Sequence, residues 1–408
     1  MEQADVVIVG GGMVGLTLAA LLADSPLAVV VIEQGPSPAG EPQLERVSAL
    51  NHASQTLLQR LGVWPLASAY ACAIRRMQVW QADAPGRLSF NPQLADAADL
   101  GAIVSNEAVV QALWQRLQRA ANVQLWSEAR PQQFSVGKRD GFLRLDDGRS
   151  LSASLLVAAD GAESWLRQQA GLPQCYADYG HDALVARVHC ATPHGGTAIQ
   201  VFHREGPLAL LPLADSQQLS LVWSQPPGAA DARMALDDQA FGQALTAASD
   251  NIFGPLTLLG ERQRFSLRWR YSRHWLAEHL VVIGDAAHTI HPLAGQGVNL
   301  GLMDAAVLAE QLLALQASGQ PLDQRAALRN FERWRKADAL ALSAAMAALR
   351  GELASVADRD ARYAATLQRW AAAPPPAPNS RARPCRTRPH QRKSRRTARG
   401  PDEQRGRG

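Results

Sequence analysis

The chain has 408 residues, 47% of them hydrophobic, so it is long enough for two or three domains around a sizeable buried core. Its net charge is +4, and the excess of basic residues lies after residue 380. Residues 381–408 contain 11 Lys/Arg and two Asp/Glu, so residues 1–380 contain 30 basic and 35 acidic residues. The body of the chain therefore gives no electrostatic argument for specific nucleic-acid binding.

The N-terminus and the cysteines indicate where the protein is located and how its thiols are used. Glu2 and Asp5 stand where a signal peptide carries basic residues, and no run of about 18 purely apolar residues occurs. We therefore expect a cytoplasmic protein without a membrane-spanning helix. Wide spacing favours single thiols over disulfides or metal ligands for the four cysteines, which are Cys72, Cys175, Cys190 and Cys385.

The first predicted elements form a strand, a glycine turn, a helix and a second strand. Residues 5–9 and 27–32 are β-branched apolar runs typical of buried strands, and residues 16–23 predict a helix between them. Gly10, Gly12 and Gly15 match the dinucleotide fingerprint, and Glu33 ends the second strand. The helix N-terminus suits a pyrophosphate, and Glu33 suits ribose hydroxyls, which favours FAD or NAD over NADP. The alternative is a glycine-rich turn without a ligand.

The middle of the chain predicts mostly helices and antiparallel strands. We expect helices at 55–61, 105–121 (capped by Ser105 or Asn106) and 237–248, hairpins at 75–90 and 142–159, and a strand at 265–271. Alternation from 183 to 224 predicts an antiparallel sheet that covers one side of a pocket.

Asp160 and Gly161 follow a predicted strand, and Arg167 lies at helical spacing beyond them. This arrangement would place a carboxylate and an arginine near a dinucleotide. The alternative is a helix start that Asp160 caps.

A third chemical motif follows the predicted strand 280–284. Asp285 stands at the carboxyl end of that strand, where ligands bind in open α/β sheets, and it suits a polyol such as a ribityl chain. Pro292 to Gly297 is a loop whose glycines allow close approach to a flat ring, and a helix at 297–316 points its N–H groups at that ring. For His288 and His291 the alternative role is support of neighbouring site residues or packing in the core. Neither has metal-ligand spacing with a carboxylate, so no metal site is predicted.

The C-terminal part changes character. A helix is predicted at 323–346, and residues 351–408 turn into an Arg/Pro/Gly/Ser-rich basic segment that we expect to be largely disordered. A reading-frame shift near residues 350–351 and an authentic variable tail both fit this change, and resequencing that part of the gene would decide between them.

Together these residues resemble the class A FAD-dependent monooxygenases, which share the fold of p-hydroxybenzoate hydroxylase. Arg46-Val-Ser-Ala-Leu50, Leu61-Gly-Val-Trp64, Asp160-Gly-Ala162 and the run 284–301 are similar to the ubiquinone-biosynthesis ring hydroxylases, most of all to the branch that acts on 2-octaprenylphenol. The resemblance covers about residues 4–350.

The resemblance implies an α/β (α+β) two-lobed fold, with a Rossmann-like FAD-binding domain and an inserted antiparallel-sheet substrate domain. The expected FAD-binding segments are 1–75, 100–175 and 270–350, and the substrate segments are 76–99 and 176–269. Gly10, Gly12, Gly15 and Glu33 would hold the ADP half of FAD, and Arg46 would lie near the pyrophosphate. The remaining cofactor-binding candidates are Asp160, Gly284, Asp285, Pro292, Gly295, Gly297, Val298 and Asn299.

The resemblance also implies tightly bound, non-covalent FAD, NAD(P)H as a transient electron donor, and O₂ as co-substrate. Reduced FAD would form a C4a-hydroperoxide that hydroxylates the ring of a polyprenylated phenol in ubiquinone biosynthesis. No catalytic base is assigned. His203, His291 and Arg187 are candidates for this role, and structural roles are the alternative for each.

Several partners and functions stay open on sequence alone. They include a multi-protein ubiquinone-synthesis complex, a homo-oligomer and peripheral contact with the inner membrane. Another class A aromatic hydroxylase is an alternative, whereas a halogenase is disfavoured because no Trp-x-Trp-x-Ile signature occurs. A non-catalytic flavoprotein-like subunit is the alternative from another functional class.

Overall fold

The computed structural model describes residues 1–95, 97–289 and 297–353. The strands are β1 (Glu2–Val9), β2 (Val29–Ile32), β3 (Val47–Leu50), β4 (Ala71–Ala73), β5 (Arg76–Gln81), β6 (Arg87–Phe90), β7 (Ala102–Ser105), β8 (Val123–Trp126), β9 (Pro131–Val136), β10 (Gly141–Leu145), β11 (Ser150–Ala158), β12 (Gln174–Cys190), β13 (Thr197–His203), β14 (Gly206–Pro212), β15 (Gln218–Gln225), β16 (Leu256–Ser272), β17 (Leu276–Ala277), β18 (Leu280–Val282) and β19 (His288–Thr289). The helices are α1 (Met13–Leu22), α2 (His52–Arg60), α3 (Trp64–Ala67), α4 (Asn106–Leu117), α5 (Trp165–Gln169), α6 (Pro227–Met234), α7 (Asp238–Ala248), α8 (Gly297–Ala317) and α9 (Arg325–Leu353).

The N-terminal strand belongs to a sheet with a parallel centre. Its order is β17-β18-β11-β1-β2-β8, and β9 and β10 extend it in an antiparallel arrangement from β11. Strands β18, β11, β1, β2 and β8 run parallel to one another, and most of their residues are buried. Parallel strands covered on both faces need continuous apolar sequence, and that is the pattern of the β-branched runs at β1 and β2.

The central strands of this sheet end in one register row. Val9 of β1 pairs with Ala158 of β11 and with Ile32 of β2, and Ala158 pairs in turn with Val282 of β18. Because parallel strands all point the same way, the residues that follow these four positions emerge at the same edge of the sheet.

Helices α1 and α8 pack closely beside this edge. A Cβ atom on Gly301 of α8 would lie 2.6 Å from Cγ2 of Val14 in α1, so only glycine permits this approach. The core around the sheet and these helices includes Leu16, Leu18, Leu302 and Leu308, all fully buried.

The second large sheet is mostly antiparallel. Its order is β19-β16-β12-β15-β14-β13-β5-β6, and among the strands of the described residues in it only the β13–β5 pair is parallel. One face packs against α7, where Phe241 and Leu245 meet Leu221 and Trp223 of β15. The opposite face contributes Ala198 and Leu213 to a small cluster with residues of a third sheet, ordered β3-β7-β4.

The predicted elements at 142–159, 75–90 and 183–224 are confirmed as antiparallel strands. Ser105 is the cap of α4, because its hydroxyl accepts the N–H of Ala108. Helix α1 begins at Met13, three residues earlier than predicted, because the glycine turn closes directly into the helix. The strand predicted at 27–32 begins at Val29, and the strand predicted at 265–271 is part of the longer β16.

Helix α8 is long and apolar enough to cross a membrane, and it is the one described helix that meets this test. Because 61% of its most apolar window is buried inside the protein, we interpret it as a core helix. Cys72, Cys175 and Cys190 are free thiols, and Cys190 is buried. We expected disorder in 351–408, but residues 351–353 are the end of helix α9, which extends past the predicted end at 346. The rest of that segment, 354–408 with Cys385, lies outside the described residues, and the domain bounds given above stay a prediction.

Candidate active site

The glycine turn after β1 combines two packing glycines with one that faces open space. Gly10 has a φ of +113°, and a Cβ atom on it would lie 2.3 Å from the carbonyl oxygen of Ala159. A Cβ atom on Gly15 would lie 2.0 Å from the carbonyl oxygen of Gly10. Around Gly12, in contrast, no atom of the described residues lies within 4 Å of the Cβ position. No side chain caps the N-terminus of α1, so the turn offers backbone N–H groups to an anion such as a pyrophosphate.

Glu33 follows β2 at the same edge and is held by two backbone groups. Its Oε2 accepts the N–H of Gly11 at 2.6 Å, and its Oε1 accepts the N–H of Gly35 at 2.7 Å. Each carboxylate oxygen can accept more than one hydrogen bond. The carboxylate is therefore fixed in place and still able to accept hydrogen bonds from ribose hydroxyls.

Asp285 follows β18 on a short 3₁₀ turn, Gly284–Ala286. Gly284 adopts a φ of +60° and lies against Val14, so this turn and the first glycine turn are neighbours. The Asp285 side chain is open to solvent on one side and enclosed by protein on the others. Burial raises its pKa, and this effect outweighs the opposing charges of His288, Arg270 and Arg46.

A buried network holds the Asp285 turn from behind. Asp304 of α8 accepts the backbone N–H of Gly284 at 3.0 Å, Nε2 of His288 lies 2.6 Å from the same carboxylate, and Nε of Arg335 donates to it at 2.7 Å. All three side chains are at most 2% exposed. Burial by itself would raise the pKa of Asp304, but His288 and Arg335 together hold it below its ordinary value. His288 therefore supports the Asp285 turn from inside the core, through Asp304, which fits the alternative role for this histidine.

Asp160 and Arg167 connect the third motif to the second. Oδ2 of Asp160 accepts the N–H of Leu166 and so contributes to the start of α5, whereas its buried Oδ1 has no hydrogen-bond partner among the described residues. Burial raises the pKa of Asp160. Arg167 donates to the carbonyl oxygens of Ala162 and Ala286 at 3.2 and 2.9 Å. The arginine thus ties two turns together through the backbone, and its proximity to a dinucleotide stays a prediction.

The start of α8 contributes Gly297, Val298 and Asn299. Val298 packs against the main core, and Asn299 is buried. The Asn299 amide donates to the carbonyl oxygen of Ala49 at 2.8 Å, and its Oδ1 accepts the N–H of Asn51 at 3.1 Å. This side chain therefore joins the first turn of α8 to the end of β3. Pro292 and Gly295 lie outside the described residues.

The remaining candidates lie on different sides of the second sheet. Arg46 is exposed, with its guanidinium 5.4 Å from the ring centre of Phe265, and its charge acts on Asp285. His203 hydrogen-bonds the carbonyl oxygen of Ala248 at 2.9 Å, on the face that packs against α7. This contact fits the structural role that was the alternative for His203. Arg187 lies on the opposite face of this sheet. His291 is outside the described residues.

The side chains at this edge fit FAD. Gly10, Glu33, Asp160 and Asp285 each follow one of the four strands of the shared register row. The open space at Gly12, the uncapped α1 N-terminus and the unpartnered Oδ1 of Asp160 leave polar capacity that a dinucleotide can use.

Sequence reasoning missed Arg270, Asp304 and Arg335. An acidic residue inside the apolar helix predicted at 297–316 was a usable signal for Asp304, because a buried carboxylate needs a partner. Arg270 had no such signal, since alternation along a strand gives the face of a residue and not its neighbour.

Comparisons with known proteins show the family. The FAD binding domain family matches residues 3–339. Ubiquinone hydroxylase UbiL of Rhodospirillum rubrum is 35% identical over 353 residues, covering 85% of this chain and 81% of that protein. The 3-demethoxyubiquinol 3-hydroxylase of Escherichia coli K12 is 33% identical over 352 residues, covering 85% and 88%.

Solved structures support the same fold. PqsL of Pseudomonas aeruginosa, a probable FAD-dependent monooxygenase, has a TM-score of 0.74 at 22% identity, covering 87% of this chain and 97% of that one. The p-nitrophenol 4-monooxygenase PnpA of Pseudomonas putida has a TM-score of 0.73 at 20% identity, covering 91% and 93%.

The family match and the named relatives define an FAD-dependent monooxygenase. The chain belongs to the FAD binding domain family, among the ubiquinone hydroxylases that are its relatives. The fold class and the family that the sequence resembles are both confirmed.

Proposed function

We propose that this protein hydroxylates the aromatic ring of a polyprenylated phenol in ubiquinone biosynthesis, with FAD as its cofactor. The observation that carries the proposal is the common edge at which Gly10, Glu33, Asp160 and Asp285 meet. Two relatives that each cover 85% of the chain are named for hydroxylation of ubiquinone or its precursor, which supports this substrate class.

Each side chain at the edge has a proposed task. The turn at Gly10, Gly12 and Gly15 binds the pyrophosphate, and Glu33 binds the adenosine ribose. Asp285 accepts hydrogen bonds from the ribityl chain, and Arg46 lies near the pyrophosphate. The backbone of 297–299 borders the flavin ring, as we also propose for Pro292 and Gly295.

When bound, FAD supplies oxygen activation with electrons from NAD(P)H, and O₂ is the co-substrate. The chain's own part is to hold the ring of the phenol and to exclude water from it. The antiparallel sheet, whose one face meets the β3-β7-β4 sheet, is the wall that performs this second task. We also propose peripheral contact of the protein, alone or in a complex, with the inner membrane, where it would meet a lipid substrate.

Complementation tests the substrate. We would express the chain in bacterial strains that each lack one ubiquinone ring hydroxylase, and identify the accumulated quinone intermediate by mass spectrometry. Rescue of one strain alone supports the proposal and assigns the ring position. If no strain is rescued by this chain or by a version with an altered reading frame after residue 350, the substrate class is wrong.

Flavin content and turnover separate an enzyme from a non-catalytic subunit. We expect the purified protein to show a flavin spectrum, and we expect a prenylated phenol to stimulate its NAD(P)H oxidation. A protein that binds flavin but shows no stimulation by any phenol would favour the non-catalytic alternative.

A further inference from the structure

The pairing of β12 with β16 is interrupted by a large β-bulge in β16. Val185 pairs with Gln263 and Arg187 pairs with Leu259, so residues 260–262 of β16 stand opposite Ala186 alone. Gly260 permits the distortion with a φ of +86°. Bulges of this kind redirect side chains and are common beside active sites.

A cavity of about 190 Å³ opens at the bulge. Its lining residues are Glu45, Val185, Ala186, Arg187, Leu259, Glu261 and Gln263. Ordinary pockets for drug-sized ligands measure roughly 300–1,000 Å³. This cavity therefore suits a single ring and leaves any long chain of a ligand outside it.

Arg46 connects the surroundings of the cavity with the Asp285 turn. Leu184 and Val188 of β12 belong to the cluster on the α7 side, so Arg187 between them points to the opposite face of the sheet. Glu45 in the lining precedes Arg46, whose charge acts on Asp285 and whose guanidinium lies over Phe265 of β16. A ring in the cavity would thus lie beside the cleft that Asp285 faces.

The charges around the cavity define its ligand. Nε of Arg187 is buried and has no hydrogen-bond partner among the described residues. A guanidinium has only donors, so this atom needs an acceptor from elsewhere. Glu45 and Glu261 outnumber Arg187 in the lining, and two carboxylates against one guanidinium disfavour an anionic ligand. A neutral oxygen on an apolar ring satisfies both conditions.

We propose that this cavity binds the ring of a neutral phenol. Arg187 donates a hydrogen bond to the phenol oxygen, and Glu45 and Glu261 select against rings that carry a carboxylate. The inference rests on the proposed function and makes it more specific. It assigns substrate binding to Arg187 and discrimination by charge to the two glutamates.

Binding to the FAD-loaded enzyme tests the role of Arg187. The probes are a phenol with one dimethylallyl group and the same ring without its hydroxyl, and perturbation of flavin absorbance gives each Kd. We expect the parent to bind the phenol roughly 10- to 100-fold more tightly than the deoxy ring, and we expect Arg187→Met to lose this preference. Arg187→Lys, which keeps the charge, should retain part of it.

Arg268→Met is the matched control, because Arg268 is an exposed arginine on β16 with only a 3.7 Å ion pair to Asp178. It should behave as the parent does. An unchanged preference in Arg187→Met would overturn the inference while the proposed function stands. Loss of flavin from both Arg187 variants would assign the residue to the fold and would also overturn it. If no phenol perturbs the flavin of the parent or stimulates its NAD(P)H oxidation, the proposed function fails and the inference fails with it.

A second probe, the same prenylated ring with an added carboxylate, tests the glutamates. We expect weak binding to the parent and a roughly tenfold gain in Glu261→Gln, whereas the affinity for the uncharged phenol should change by a clearly smaller factor. Equal affinities for the carboxylated ring in parent and variant would contradict selection by charge.

Discussion

Asp285 faces the proposed cofactor cleft with Arg46, Arg270 and His288 around it, and burial still raises its pKa. A carboxyl whose folded pKa lies above its unfolded pKa stabilises the fold at low pH, and this contribution is lost as the pH rises through the folded value. Because Asp285 is also exposed to solvent, which reduces this effect, we expect the ionised carboxylate to destabilise the flavin-free protein only slightly at neutral pH. Hydrogen bonds from ribityl hydroxyls would offset this cost only when FAD is bound.

Asp285→Asn should thus have opposite effects on stability and on flavin retention. At neutral pH we expect a higher free energy of unfolding for the flavin-free variant, because the variant removes the unfavourable charge. FAD should bind roughly 10- to 100-fold more weakly, since hydrogen bonds to a charged acceptor are lost. Denaturant titration and the flavin-to-protein ratio after gel filtration measure the two effects. A variant that retains flavin as tightly as the parent would exclude the ribityl role.

Gly12 and Gly15 provide a matched pair for the glycine turn. Gly15→Ala places a Cβ atom 2.0 Å from the carbonyl oxygen of Gly10, so we expect it to destabilise the fold by roughly 1–3 kcal/mol and to reduce flavin content as well. Gly12→Ala meets no atom within 4 Å in the part of the chain that the structure describes, so its unfolding curve should match that of the parent, while its flavin retention falls. If Gly12→Ala retains flavin fully, the open space at Gly12 is not a pyrophosphate site.

Among single residues, the sequence predicted those whose position depends on local geometry alone. Gly10, Gly15 and Glu33 follow from a strand, a turn and a helix in fixed order, which a single segment determines. Arg270 and Arg335 come to Asp285 and Asp304 from strands and helices that are distant in sequence. Only tertiary packing establishes those neighbours.

At the scale of elements, Asp304 connects three of them. Its carboxylate joins the Gly284 turn, helix α8 and, through Arg335, helix α9. An ion pair at this depth is costly to break from one side, because the remaining charge stays buried without compensation. The same contact gives the Asp285 turn a rigid support.

A double-mutant cycle tests this connection. Arg335→Met and Asp304→Asn should each destabilise the protein by about 3–5 kcal/mol, and the double variant should lose clearly less than the sum of the two. Additive losses would mean that the two side chains do not depend on each other. Unfolding of each variant with urea gives the four free energies.

The pH dependence of stability checks the same pair with a defined sign. The pKa of Asp304 is held below its ordinary value, so its contribution is present above the unfolded pKa and is lost as the pH falls through the folded value. The parent should therefore lose more free energy of unfolding on acidification than the double variant does. Parallel curves for the two proteins would assign the acid sensitivity to other groups.

Element types were predictable wherever a pattern was long. The buried runs of β1 and β2 and the alternation along β12 to β15 predicted strands correctly, whereas the start of α1 was placed three residues too late. Glycines lower helix propensity, so the sequence pattern hides a helix that begins inside a glycine turn. The fold tolerates them there because Gly15 and Gly301 allow backbones to approach closely.

At the scale of the whole molecule, the order of motifs along the chain predicted that distant segments share one sheet edge. The pairing of Val9 with both Ala158 and Ile32 is what brings Asp160 and Glu33 to that edge. The bulge between β12 and β16 had no comparable signal, because one Gly260 in an alternating strand does not specify how many residues stand opposite its partner. The shared sheet edge was therefore predictable in outline, and the cavity at the bulge was not.

The separation of charge along the chain gives a last prediction for the whole molecule. Ending the chain at residue 380 changes its net charge from +4 to −5, so the full chain should bind vesicles that contain phosphatidylglycerol, and the shortened chain should not. Binding should weaken as salt is added, because exposed charges are screened over about 10 Å at 0.1 M ionic strength. Co-sedimentation measures this, with phosphatidylcholine vesicles as the control and equal flavin content as evidence of an intact fold. If the shortened chain binds anionic vesicles as well as the full chain does, the contact belongs to the body, and a search for it would start from the exposed residues beside the phenol cavity.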